Sequence, residues 1–217
     1  MSDDYFGFIA YTPPALAAEL PTLLDSALSS LSFSVAIDTP RTKGEFRRTY
    51  SHSSGWRLEC AGSSGVADHR PDWQNRPAWA FFPIQYQQVR TLSPAPLVRA
   101  ITDACTRTQA ILGRSFHPGG DELPHLEEFS GAIDILDWLQ YLGPAIASVI
   151  GPERLRNAGF YDVQELAGGA FLALTRATYL DEWPFPERRP LMNRLGLAPR
   201  IMRHKTSATE WAEMRWC

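Results

Sequence analysis

Lysine is scarce in this chain of 217 residues. Only Lys43 and Lys205 stand beside many arginines. Both lie in basic surroundings, so a catalyst built on an activated lysine has few candidates. The restriction-endonuclease arrangement places a carboxylate two residues before a catalytic lysine. Those positions hold Arg41 and Arg203, so that motif is missing. Cysteine is equally sparse. Cys60, Cys105 and Cys217 form an odd set with no close pair, which excludes a disulfide framework or a zinc knuckle and fits a reducing compartment. No apolar run is long enough to span a bilayer, and no membrane partner is expected. The acidic opening MSDDYFGFIAYTPP has no basic segment ahead of an apolar one. A secretory signal is therefore not expected, and the location read from the sequence is cytoplasmic. HExxH, paired CxxC, EF-hand, Walker and GxGxxG patterns are absent, and GSSG at Gly62–Gly65 is not a nucleophile elbow. No cofactor is expected. No repeat or flexible linker divides the chain, so a single domain over 1–217 is predicted.

What is present is an uneven distribution of charge. From Ser115 to Glu153 there is no Lys or Arg, while Asp121, Glu122, Glu127, Glu128, Asp134, Asp137 and Glu153 all occur. From Arg188 to Thr209 the signs reverse, with Arg188, Arg189, Arg194, Arg200, Arg203 and Lys205 and no acid. Arg41, Lys43, Arg47 and Arg48 form a smaller basic cluster. Such blocks either steer a partner or neutralise one another in the fold. The block from Arg188 to Lys205 lacks aromatic residues, so a nucleic-acid partner is not expected.

Patterning predicts an α+β fold with a mixed, largely antiparallel sheet packed by helices. YFGFIAY (Tyr5–Tyr11) reads as a strand buried on both faces, and a Leu-rich helix follows from Thr12, with Pro21 either kinking it or marking its first turn. Strands are predicted at Phe33–Thr39, from Gly55 (GWRLECAG) and from Ala78 (AWAFFPIQY). Pro83 in the last favours an edge or a bulge. A helix capped by Ser93 is predicted to carry Leu97 through Leu112 and to end at Gly113. Gly143-Pro144 and Gly151-Pro152 break a short helix pair, Gly168-Gly169 turns a hairpin, and a last helix spans Glu187 to Leu195. Strands come in adjacent runs, not in strict βαβ alternation, which argues for the α+β class. Beyond Pro199 the tail is expected to be pinned by Trp211 and Trp216.

The stretch HPGGDELPHLEEFSGAIDILDW concentrates the candidate chemistry. His117, Asp121 and His125 are spaced four apart, as metal ligands on one helix face would be. Pro118, Gly119, Gly120 and Pro124 break that helix, so a small metal-dependent hydrolase using this loop remains only the alternative reading. The preferred reading is a protein-facing surface. Asp121, Glu122, Glu127 and Glu128 supply charge, and Leu123, Leu126 and Phe129 supply apolar anchors within it. Phe116 and Trp138 flank the stretch, and Trp138 is expected in the core.

Three stretches carry a resemblance. DDYFGFIAY at the start, ILDWLQYLGPAIASVIGPERL, and YDVQELAGGAFLALTRA with its closing helix resemble the Immunity protein 52 family of bacterial polymorphic-toxin and type VI secretion systems. The resemblance covers both ends of the chain and includes no catalytic signature. It implies one immunity-protein domain, with a C-terminal extension from about 200, that is not an enzyme. It also implies a partner: a cognate toxin effector, typically a restriction-endonuclease-like DNase encoded next door. A DNase has a basic cleft, so an acidic inhibitor surface is the complementary shape of charge.

Overall fold

The computed structural model describes residues 5–40, 45–63, 78–116, 138–177, 185–196, 202–205 and 211–214. Nine strands form one antiparallel sheet. They are β1 (Tyr5–Thr12), β2 (Ser34–Pro40), β3 (Glu45–Ser51), β4 (Arg57–Ser63), β5 (Ala78–Gln85), β6 (Leu112–Phe116), β7 (Leu139–Leu142), β8 (Asp162–Glu165) and β9 (Phe171–Leu174). Their order is β2-β3-β4-β5-β1-β6-β7-β9-β8, and every neighbouring pair is antiparallel. The helices are α1 (Leu20–Ser30), α2 (Tyr86–Thr91), α3 (Ala95–Arg107), α4 (Pro144–Ile150), α5 (Pro152–Asn157) and α6 (Phe185–Leu195). This is the α+β fold expected. β10 (Met202–Lys205) and β11 (Trp211–Met214) pair with each other in a separate ribbon. The packing of Trp211 and Trp216 lies outside the described residues. No described helix is long and apolar enough to cross a membrane.

Alternation along β1 explains the two layers. Phe6, Phe8 and Ala10 point to one face, where they meet Ala80, Phe82 and Ile84 of β5 and the apolar sides of α1 and α3. Leu20, Leu24 and Leu28 of α1 and Leu97, Ile101 and Cys105 of α3 are buried there. Ile9 and Tyr11 point the other way, onto a second core with Leu112, Leu142 and Phe171 beneath α4, α5 and α6. A central strand with helices over both faces is apolar at both parities, as the opening motif suggested. Each fully buried Leu or Phe side chain contributes about 2 kcal/mol by leaving water.

Four details differ from the patterns. β3 falls in what reads as a polar, basic stretch. Its Phe46 and Tyr50 face the core, while Arg47 and Arg48 pair with acids and so tolerate the sheet. α3 stops at Arg107 and not at Gly113. Gln109 takes the left-handed conformation (φ 51), and Ala110 N–H and Gln109 N–H bond Cys105 and Thr106 carbonyls in a Schellman motif without glycine. Leu112 and Gly113 therefore open β6. β7 occupies LQYL, which reads as helix or turn from sequence alone because all four residues are buried. Lastly, β5 is interior in the sheet, but β4 pairs only with its Trp79–Phe81 segment. Pro83 thus lies at a local edge within an interior strand. Pro21 sits in the first turn of α1, the second of its two expected roles.

Candidate binding face

α1 and α3 pack against each other over one face of the β2–β5 half. The opposite face of that half carries a concave groove of about 590 Å³ lined by residues including Tyr5, Arg47, Arg57, Glu59, Trp79 and Phe81. Trp79 and Phe81 are half-buried and lean on the second core, leaving aromatic surface in the groove wall. Arg47 Nη2 and Glu59 Oε1 pair across β3 and β4 at 2.5 Å. Gly62 lies in the groove floor, and a Cβ there would overlap the Phe46 ring.

A bulge shapes the outer rim. β2 pairs Val35 with Tyr50 and then Ile37 with Thr49, leaving Ala36 as the extra residue. The bulge turns Ile37 onto the groove side and returns Asp38 to the packed side. Asp38 then meets Arg48, whose Nε donates to its Oδ1 at 3.2 Å. Arg48 also donates to Asp25 Oδ2 at 2.5 Å and to the Pro21 carbonyl at 3.1 Å, and Tyr50 Oη donates to Asp25 Oδ1 at 2.7 Å. Strand β3 is thereby tied to α1. Burial pushes the Tyr50 phenol well above its ordinary pKa, reinforced by Cys60 and by its bond to Asp25. Val35 and Ile37 remain 45% and 48% exposed.

One ladder row crosses the whole sheet on the groove side: Thr39, Arg47, Ala61, Phe81, Ile9, Arg114, Gln140, Ala173 and Val163. Arg114 and Gln140 are adjacent in it, 5% and 0% exposed. Among the described residues, Arg114 Nε and both Gln140 side-chain atoms have no hydrogen-bond partner. Arg114 lies near enough to Tyr11 to act on it electrostatically. Burial raises the Tyr11 pKa, and the guanidinium pulls it partly back.

The fold can be compared with a solved structure. The chain is similar in fold to a Pseudomonas aeruginosa T6SS protein. The TM-score is 0.56 over 98% of this chain and 79% of that one, at 11% sequence identity. No family model matches the chain, and no curated protein matches it.

The residues picked out from the sequence lie for the most part outside the described residues. Asp121, Glu122, Leu123, Leu126, Glu127, Glu128 and Phe129 lie outside the described residues, as do His117 and His125. Among the described residues, no three His, Cys, Asp or Glu side chains gather to hold a metal. Trp138 is in the core as expected, edge-on to Phe6 with ring centroids 5.7 Å apart, and its Nε1 donates to the Arg176 carbonyl. Cys60 and Cys105 are buried, and burial raises both thiols far above their ordinary pKa, so neither is a ready nucleophile. The pattern did not single out Ile37, Trp79, Phe81, Arg114 or Gln140. For β5 a signal exists in AWAFFPIQ, where large residues at both parities mark a strand apolar on both sides. For Arg114 and Gln140 no local signal exists, because their adjacency comes from a long-range pairing.

Proposed function

We propose that this chain is an immunity protein, a non-enzymatic inhibitor that binds and neutralises a cognate type VI secretion nuclease effector by direct contact. The observation that carries the reading is the fold shared, over 98% of the chain, with a Pseudomonas aeruginosa T6SS protein. The stretches that resemble the Immunity protein 52 family supply the immunity role, and the missing nuclease motif agrees with an inhibitor more than with a toxin. Asp121, Glu122, Glu127 and Glu128 steer the complex toward a basic cleft, with Leu123, Leu126 and Phe129 as anchors.

The test is co-purification with the product encoded next to it, followed by a DNA-cleavage assay. An equimolar complex and loss of cleavage on stoichiometric addition support the reading. Absence of a complex at low salt rejects it. Reversing the charge of Glu127 and Glu128 together slows association, and an unchanged association rate removes those two residues from steering.

A further inference from the structure

We infer that Arg114 and Gln140 form a receptor for a carboxylate on the groove side of the sheet. The two residues face each other across β6 and β7, so their Cβ atoms are about 5 Å apart on the same face. Arg114 is buried at 5% exposure, and among the described residues its Nε has no hydrogen-bond partner and no ion pair ties it to a carboxylate. Gln140 is fully buried with its carbonyl and its amide nitrogen both unsatisfied. Buried polar groups are hydrogen-bonded in nearly all native structures, so two neighbouring exceptions call for a ligand. Leaving such groups unpaired destabilises the fold, and a charge does so more than a neutral group.

The open positions define the ligand. Arg114 Nε–H and Gln140 Nε2–H are donors that require acceptors. A planar carboxylate supplies one oxygen to each, and its charge strengthens both bonds. Gln140 Oε1 remains to accept from a water or from an N–H beside the carboxylate. Phe81 in the groove wall is followed by Ile9 and then by Arg114, each one strand further on. Tyr11, raised in pKa by its own burial, stays neutral near the guanidinium and does not compete as an anion. By contrast Arg48, on the other face, already holds Asp25 and Asp38 and has no need of an outside anion. The receptor stands whether or not the partner is a nuclease effector.

The experiment uses the full chain with acetate as the probe, against inorganic phosphate and chloride at matched ionic strength. Acetate raises the melting temperature by about 3 °C over chloride, the effect of saturating one weak site in a chain of this size. It also shifts the Arg114 Nε–H resonance and slows its exchange with water. Arg114→Met melts at or above the wild-type temperature, because an unpaired buried charge is removed, and it loses the acetate increment. Gln140→Met provides the second variant and behaves likewise. Equal melting in acetate and chloride overturns the inference. So does a larger increment in phosphate than in acetate, or an acetate increment that survives in both variants.

Discussion

Arg48 and Arg114 are both arginines set into the same sheet, on opposite faces. Arg48 is met by two carboxylates and a carbonyl, and it fastens β3 to α1. Arg114 is more deeply buried, and its Nε has no partner among the described residues. The faces differ in the same sense. One is closed by α1 and α3, with Arg48 paired to Asp25 and Asp38. The other is covered toward β9 and left as a groove toward β2. A face whose buried arginine is paired serves stability, whereas a face with unpaired buried donors and half-buried aromatics is suited to recognition.

Several measurements would break or sharpen that contrast. Phe82 is nearly fully buried on the closed face against Phe8. Phe82→Ala is expected to cost about 4 kcal/mol in urea unfolding. A loss below about 1 kcal/mol would mean that this face is not the stabilising one.

The next effect is alkaline. Burial pushes the Tyr141 phenol up to about 12. The unfolded phenol ionises near pH 10 and the folded one two units later, so the folded state holds its proton longer. Stability from this group is therefore complete below about pH 10 and falls as pH rises to about 12, by up to about 2.7 kcal/mol. Tyr141→Phe flattens that slope, and an unaltered slope would place the phenol in solvent.

Asp25→Ala removes one acceptor from Arg48 and the acceptor of Tyr50, and is expected to cost about 2 kcal/mol. Thermal melts of Asp25→Ala and Asp25→Asn separate the charge from the hydrogen bonds. Smallest of all is Ile37→Ser on the groove rim, expected within about 0.5 kcal/mol of wild type. If it destabilises as strongly as Asp25→Ala, the rim belongs to the core and the contrast between the faces fails.

The sequence made the ends of the fold easy to read. β1 was visible in YFGFIAY, the β8–β9 hairpin in Gly168-Gly169, and α6 in the segment ending at Leu195. In each case local chemistry and final structure coincide. β3, β6 and β7 were not legible, because their burial comes from distant partners and not from their own alternation. The end of α3 hid behind Gln109, which takes a conformation usually given to glycine. The same reason hides the candidate site. Arg114 and Gln140 are 26 positions apart in the numbering, and only the register of β6 against β7 joins them.

The extra residue in β2 also bears on how the molecule keeps to itself. Val35 and Ile37 are apolar, exposed and on the outermost strand, which is the setting in which one chain adds itself to the edge of another. Removing Ala36 would keep Val35 opposite Tyr50 and Ile37 opposite Thr49, so no side chain would change face. It would remove the bend that makes this edge a poor template. A shortened chain would then fold as before and yet begin to self-associate, which makes position 36 a safeguard against aggregation more than a support of the fold.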